Sequence, residues 1–194
     1  MGGWDLFPFD GVFYPGPRKR GFRKLEYYSR FFDFVEINST FYRSSFTPVQ
    51  IRRWLQDVAA NRNFIFTVKL FKGFTHSLDA TKGDAVNVSR LLDTIAAGGN
   101  LGGLLIQFPY SFTNTHDRQL YLVRLCRAFK PHDLFIEVRH NSWRGPLVRK
   151  LLDDNEAQLV NVDLPAMKRH VPFTAVSSNT VAYFRMMGRN TVTW

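Results

Sequence analysis

The sequence predicts an α/β fold, and within that class a TIM-type (β/α) barrel that occupies residues 1–194 as one domain. Three observations lead to this prediction. Six short apolar runs read as strands buried on both faces, which is typical of a parallel sheet. Segments with helical periodicity separate these runs, which indicates repeated βαβ units. No G-x-G-x-x-G turn follows the first run, and this weakens the alternative of an open dinucleotide-binding sheet.

The six predicted strands tend to begin apolar and end polar. They are Phe34–Thr40, Phe64–Lys69, Leu104–Pro109, Leu134–His140, Leu159–Pro165 and Val181–Gly188. The strongest helix prediction runs from Pro48 to Ala60, because Thr47 can cap this helix and Gln50 completes a capping box. Further helices are expected at about residues 23–32, 85–97, 116–129 and 144–155.

The composition is that of a folded domain. Hydrophobic residues make up 45% of the chain and aromatic residues 15%, which is enough to bury a sheet under helices. No apolar run is long enough to cross a membrane and the N-terminus lacks the features of a signal peptide, so we expect a cytoplasmic protein. Cys126 is the only cysteine, which excludes an intrachain disulfide and favours a packed core position.

The chain is strongly basic. Its formal net charge is +10 and its pI is near 10.0, which favours phosphate-bearing partners such as nucleic acid or nucleotides. A short basic cluster lies at Arg18, Lys19, Arg20, Arg23 and Lys24, but no long basic tail is present. A solvated basic surface explains this charge as well as a binding face does.

Polar residues within the predicted strands follow a period of two. Residues two apart in a strand point to the same face. Five pairs share a face in this way: Glu36 with Asn38, Thr67 with Lys69, Glu137 with Arg139, Asn161 with Asp163, and Tyr183 with Arg185. The alternate positions are apolar and suit packing beneath helices. The polar set is therefore predicted to face the barrel interior near the carboxyl ends of the strands, where barrel enzymes place their chemistry.

This pattern predicts a functional site of paired acids and bases. Carboxylates can act as general acid or base, and basic side chains can hold a phosphate or carboxylate. The predicted catalytic residues are Glu36, Glu137, Asp163 and Lys69. The predicted substrate-binding residues are Asn38, Gln107, Arg139, Trp143 and Arg185. The alternative is a buried ion-pair network that only fixes the register of the strands.

Metal ligation and aromatic stacking are secondary hypotheses. His76 and His140 follow predicted strands and, with the three carboxylates, would suit a divalent metal, although no tight ligand spacing marks such a site. Ordinary loop histidines are the simpler interpretation. Trp143, Phe41 and Tyr42 would suit stacking on a base or sugar ring, and packing under a loop is the alternative.

Five segments, taken in order, resemble a known family: Val35–Tyr42, Phe66–Lys69, Gln107–Pro109, Ile136–Trp143 and Met187–Asn190. The family is the YecE-like family, also called domain of unknown function 72. The resemblance implies a TIM-type barrel of bacterial and archaeal proteins whose activity is not established. Against the family pattern, the first strand is expected to be short, because only Gly2, Gly3 and Trp4 stand there. The eighth strand is expected to be missing, because relatives continue beyond the position of Trp194.

Three functional hypotheses follow. The first is an enzyme, a hydrolase or isomerase, that acts on a phosphorylated, sugar-containing or nucleic-acid substrate by acid/base or metal-assisted chemistry. The second is a non-catalytic module that binds nucleic acid or a phosphorylated metabolite, with affinity that falls steeply with salt. The third is an inactive fragment. An open sheet edge would also favour self-association.

Overall fold

The computed structural model describes residues 3–5, 10–16, 21–165, 167–177 and 180–190. Gly2, Arg18, Lys19, Arg20 and Trp194, which entered the sequence predictions, lie outside these residues. The described residues form two compact units. Unit 1 falls within Met1–Lys72 and Ala80–Gly103, and unit 2 falls within Gly73–Asp79 and Leu104–Trp194.

Helices and parallel strands alternate along the chain as far as residue 159. The helices are α1 (Lys24–Tyr28), α2 (Ser39–Tyr42), α3 (Pro48–Val58), α4 (Lys72–Thr75), α5 (Lys82–Ala97), α6 (His116–Ala128) and α7 (Pro146–Asp153), with a 3₁₀ turn at Asn141–Trp143. The strands are β1 (Phe34–Ile37), β2 (Ile65–Lys69), β3 (Leu101–Gln107), β4 (Leu134–Glu137), β5 (Ala157–Leu159), β6 (Asn161–Asp163) and β7 (Phe184–Met186).

Unit 1 is built on the parallel pair of β1 and β2, in which Glu36 lies opposite Thr67. Beyond this pair the amide of Phe66 donates to the carbonyl oxygen of Asn100 at 2.7 Å, directly before β3 begins. The face of β1 and β2 opposite Glu36 is apolar and buried, and helices α3 and α5 contribute further core side chains. This core includes Val35, Ile37, Phe66, Val68, Ile51, Val58, Leu91, Leu92 and Ile95.

Two helices of unit 1, α3 and α5, begin at capping boxes. In α3 the Thr47 side chain accepts from the Gln50 amide while the Gln50 side chain accepts from the Thr47 amide, which confirms the predicted start. In α5 Thr81 and Asp84 form the same arrangement, so the helix begins at Lys82, three residues before the predicted start. Such boxes satisfy two amide groups that a helix otherwise leaves without partners.

Strand β1 ends earlier than predicted. Asn38 has helical backbone angles, φ −86° and ψ −19°, and caps the short helix α2. The Thr40 hydroxyl lies 2.6 Å from the carbonyl oxygens of both Ile37 and Lys69, which fixes this turn at the ends of β1 and β2. The prediction that Asn38 continues the strand and shares a face with Glu36 is therefore wrong.

Unit 2 contains three parallel strands, which are β4, β5 and the part of β3 from Leu104 to Gln107. Gln107 lies opposite Glu137, and Leu134 lies opposite Ala157. Leu104, Ile106 and Ile136 are completely buried. Cys126 on α6 is also buried, as expected, and burial raises the pKa of its thiol to about 11.

The predicted strand Leu159–Pro165 is two strands. The amide of Val160 still donates to Ile136 on β4 at 2.9 Å, but the amide of Asn161 donates to Tyr183 at 2.8 Å, and β6 then pairs in parallel with β7. The chain thus changes hydrogen-bonding partner within one residue. Periodicity alone could not show this change, because apolar and polar residues alternate without a break through residues 160–163.

The chain is therefore an α/β protein with five parallel strands, β1 to β5, flanked by helices. A further parallel pair, β6 and β7, lies within unit 2. Closure into a barrel stays a prediction. Among the described residues, no helix combines the length and the apolar character that crossing a bilayer demands.

Candidate functional site

The centre of the candidate site is the carboxylate of Glu137, the last residue of β4. Its side chain is completely buried, and its Oε1 accepts a hydrogen bond from Nε of Arg139 at 3.1 Å. Its Oε2 accepts from Nη1 of Arg185 on β7. A buried carboxylate without a partner would be strongly destabilising. Two guanidinium groups compensate this one, and we call these three residues with Gln107 the Glu137 cluster.

Gln107 completes the cluster from the carboxyl end of β3. It lies opposite Glu137 in the strand register, and its side-chain oxygen accepts from Nη1 of Arg185 at 3.2 Å. The side chains of Arg139 and Arg185 are 19% and 12% exposed, so both reach solvent while they hold the buried acid. The structure thus brings together four of the nine predicted site residues.

Asp163, at the end of β6, forms a second ion pair in unit 2. Both of its carboxylate oxygens lie 3.0 Å from Nε of Arg189. The Asp163 side chain is 8% exposed, whereas that of Arg189 is 72% exposed. Sequence reasoning missed Arg189 as a site residue. Its only signal was the segment Met187–Asn190, which is one of the five segments that carry the family resemblance.

Asn161, which shares a strand face with Asp163, has a structural role. Its side-chain amide donates to the Val176 carbonyl at 2.8 Å, and its oxygen accepts from the Val176 amide at 3.0 Å and from the Thr174 hydroxyl at 2.7 Å. These bonds attach the segment after β6 to the strand itself. The strand-parity rule does not distinguish such an anchor from a ligand-binding amide.

Trp143 packs in the core of unit 2. Its side chain is 1% exposed, its ring stacks on Phe112 at 5.3 Å with an interplanar angle of 2°, and its Nε1 donates to the Phe112 carbonyl at 2.7 Å. The hypothesis that it stacks on a ligand is therefore replaced by the packing alternative. Tyr110, three residues after Gln107 and 39% exposed, is the accessible aromatic residue on the loop that follows β3.

His140 and His170 flank Tyr110. The ring of Tyr110 lies 5.1 Å from that of His140 and 5.2 Å from that of His170. Nδ1 of His140 accepts from the Ser142 amide at 3.2 Å, which places its proton on Nε2. Within the described part of the chain, no three His, Cys, Asp or Glu side chains converge to hold a metal ion. His76 is exposed, with Nδ1 2.9 Å from the Thr75 hydroxyl.

Three predicted site residues lie in unit 1. Glu36 on β1 is 3% exposed and lies opposite Thr67, so it shares a face of the strand pair with Lys69 at the end of β2. The ammonium group of Lys69 lies 4.3 Å above the ring of Phe41, which keeps this aromatic residue beside the strand ends as predicted. Asn38 caps α2 instead of extending β1.

Two solved structures are similar to this chain over most of its length. A DUF72 family protein from Thermotoga maritima MSB8, TM1631, is 26% identical with a TM-score of 0.79, and the match covers 98% of this chain and 74% of that one. A DUF72 family protein from Enterococcus faecalis V583, EF0366, is 25% identical with a TM-score of 0.77, and the match covers 87% and 70% respectively.

Sequence comparison gives the same relationship. A search of curated proteins gives no match. The profile of the family described as "Protein of unknown function DUF72" matches residues 1–194. This is the same family as the YecE-like family, whose motifs lie on the strands and the loops that follow them. The chain belongs to the DUF72 family.

Proposed function

We propose that the chain is a TIM-type barrel protein that binds a phosphate-bearing substrate at the carboxyl ends of its strands and acts on it by acid/base chemistry. The observation that carries this proposal is the Glu137 cluster. Arg139 and Arg185 are both held on one buried carboxylate at the end of a parallel strand. Guanidinium groups fixed in this way can each donate two hydrogen bonds to a pair of oxygens of a phosphate or carboxylate.

The charge of the unit 2 residues supports an anionic ligand. Three guanidinium groups, of Arg139, Arg185 and Arg189, face two carboxylates, of Glu137 and Asp163. Among these five residues the basic groups outnumber the acidic ones. The net charge of +10 over the whole chain acts in the same direction, because it attracts phosphate-bearing partners over a distance.

Within this proposal the two carboxylates have different roles. Glu137 is a positioning residue, since it holds two arginines and is shielded from solvent. Asp163 is the better general acid or base, because its partner Arg189 is 72% exposed and can swing into solvent. In unit 1, Glu36 and Lys69 are proposed as a further acid and base at the ends of β1 and β2. The reaction class is that of a hydrolase or isomerase.

A thermal-shift experiment tests the binding step. Inorganic phosphate, sugar phosphates, nucleotides and short oligonucleotides are added to the purified chain, with and without divalent metals. Binding to the folded state stabilises it, by about 2.7 kcal/mol at a ligand concentration 100 times Kd. We expect at least one phosphate-bearing probe to raise Tm, and we expect Arg139→Ala and Arg185→Ala to abolish that rise.

Arg127→Ala is the matched control, because Arg127 is an exposed arginine on α6 of the same unit. It should retain the full rise in Tm. If Arg139→Ala and Arg185→Ala each responded as the wild type does, the Glu137 cluster would not be the binding site. Turnover is tested separately with Asp163→Asn, which should retain binding and lose the reaction.

A non-catalytic binding module is the second candidate, and the complete pairing of Glu137 favours it. A carboxylate engaged by two guanidinium groups is not available as a base. Such a module for nucleic acid would show a linear fall of log affinity with log salt, with a slope near −0.9 per phosphate contact in duplex DNA. Ligand binding that persists without turnover in the wild type would support it.

Self-association is a further proposal for unit 2. Phe184 and Met186 on β7 are 45% and 66% exposed, so a short strand presents apolar side chains to solvent. Exposed apolar surface on a strand favours pairing with another chain. Sedimentation at increasing protein concentration should show association that Met186→Lys reduces. A monomer at all concentrations would contradict the proposal.

A further inference from the structure

Unit 1 contains a cavity of about 430 Å³ between the segment that leads into α1 and one face of α3. This volume lies within the range of about 300–1,000 Å³ that is usual for small-molecule sites. The side chains that matter for its chemistry are Arg23, Lys24, Gln50, Arg53, Trp54 and Asp57. We call this the α1–α3 cavity. It is formed by unit 1 alone and contains none of the predicted site residues.

One face of α3 supplies most of the polar wall. Gln50, Arg53, Trp54 and Asp57 lie at positions i, i+3, i+4 and i+7, which places them together along the helix. The ring of Trp54 contacts that of Trp4 edge to face, with the ring centres 5.7 Å apart. The cavity therefore has a polar wall on a regular helix and an aromatic wall beside it.

Most of the charges that line the cavity are already paired. Arg23 forms an ion pair with Asp57, whose side chain is 9% exposed. The ammonium of Lys24 lies 2.7 Å from Asp5 and 2.8 Å from Asp10. These pairs fix two of the basic side chains in place.

Arg53 differs from these residues. Its guanidinium has neither an ion pair nor a hydrogen bond within the described part of the chain, and the residue is exposed. An adjoining groove of about 410 Å³ is also lined by Arg23 and Arg53 and adds Arg52. The unpaired charge of the cavity is therefore positive, and it lies on a side chain that can reach a ligand.

Gln50 adds a neutral donor. Its side-chain oxygen already accepts from the Thr47 amide at 3.1 Å in the capping box of α3. The NH₂ group of the same amide is left to donate to a ligand. The guanidinium and the amide NH₂ lie one helical turn apart. Both can donate hydrogen bonds to the oxygens of one phosphate group.

We propose that the α1–α3 cavity binds a small phosphate monoester. Arg53 and Gln50 donate to the phosphate oxygens. The ion pair of Arg23 and Asp57 holds the adjoining wall of the cavity in place, and the ring of Trp54 contacts the remainder of the ligand. This site is independent of the Glu137 cluster, and each can fail without the other.

Calorimetric titration of the full chain tests this proposal, with inorganic phosphate, ribose 5-phosphate and adenosine monophosphate as probes at constant ionic strength. We expect the esters to bind, and Arg53→Ala to weaken them about tenfold or more, since a charge-assisted bond is lost. Arg53→Lys should retain part of the affinity because it keeps the charge. Arg62→Ala, which removes another exposed arginine of unit 1, should bind like the wild type.

The remaining outcomes overturn the proposal in distinguishable ways. If no probe binds the wild type, or if Arg53→Ala binds as tightly as the wild type, the cavity is not a phosphate site. Loss of binding in Arg185→Ala but not in Arg53→Ala assigns the ligand to the Glu137 cluster and leaves the proposed function intact. If inorganic phosphate binds as tightly as both esters, the aromatic wall contributes nothing and the assignment to an ester is wrong.

Discussion

Glu137 and Asp163 are both carboxylates at the ends of strands in unit 2, yet their surroundings differ. Glu137 is completely buried and is shared by two guanidinium groups that are themselves 12% and 19% exposed. Among the described residues Asp163 has one arginine partner, Arg189, whose side chain is 72% exposed. Two carboxylates that look alike in the sequence therefore differ in the structure. Glu137 is buried between two arginines, whereas Asp163 is paired with one arginine that is mostly exposed.

The difference shows how burial decides the role of an acid. Opening the Glu137 pairs would leave an uncompensated charge on a completely buried side chain, which is costly. Opening the Asp163 pair returns the Arg189 guanidinium to solvent, where water hydrates it, and leaves a carboxylate that is 8% exposed instead of completely buried. A positioning role therefore suits Glu137, and a role in proton transfer suits Asp163.

The largest expected effect is on stability when Glu137 is removed. Glu137→Ala leaves Arg139 and Arg185 without their common acid, and we expect the free energy of unfolding to fall by about 3–5 kcal/mol. Urea unfolding of the full chain, followed by circular dichroism, measures the loss. Glu137→Gln, which keeps the shape and one acceptor, should cost less than the alanine variant. A loss below about 1 kcal/mol in Glu137→Ala would show that the cluster is not held as the structure indicates.

Part of the Glu137 cluster could be predicted from the sequence because the contact between Glu137 and Arg139 is local. Glu137 and Arg139 are two residues apart in an extended segment, so strand parity brings them together. Gln107 joins them because neighbouring strands end at the same edge. The parity rule failed at Asn38, where the strand had already ended. That end depends on Thr40, which lies beside the carbonyl of Lys69, 29 residues away.

Other features of unit 2 depend on partners that are distant in the sequence. Trp143 is buried because Phe112, 31 residues earlier, stacks on its ring and accepts its Nε1–H. The boundary between β5 and β6 is set by Tyr183, which accepts from the Asn161 amide. Arg189 follows β7 in a segment without periodicity, so no pattern linked it to Asp163. Local cap and strand signals were predictable, but the choice of partners was not.

Asp84 extends the comparison of carboxylates to unit 1 and gives an intermediate effect. The Ser44 hydroxyl, and then the Thr81 amide and hydroxyl, donate to it and hold the pKa of this carboxyl below its usual value. A carboxylate with a lowered pKa in the folded state stabilises the fold above its unfolded pKa, near 3.9. That contribution is lost as the pH falls through the lower folded pKa.

We therefore expect Asp84→Asn to reduce the free energy of unfolding at pH 7 by about 0.5–2 kcal/mol, the range found when a helix cap is removed, because Asp84 completes the capping box that Thr81 begins. The difference between variant and wild type should shrink as the pH falls below 4 towards the lowered pKa. Urea unfolding at several pH values measures it. A difference that is constant with pH would mean that the stabilisation does not come from the charged carboxylate.

The smallest expected effect is that of Arg189→Ala. The Arg189 side chain is 72% exposed and the Asp163 side chain is 8% exposed, so losing this ion pair should cost about 1 kcal/mol, which is less than the loss expected for a completely buried pair. Arg185→Ala, by contrast, removes a partner of the completely buried Glu137 and should cost several times more, by the same reasoning that applies to Glu137→Ala. Urea unfolding of the two variants compares them directly. Equal losses of unfolding free energy in the two variants would contradict the distinction between the Glu137 and Asp163 ion pairs. Both carboxylates would then depend on their arginines to the same degree. The proposed role of Asp163 in proton transfer would lose its support.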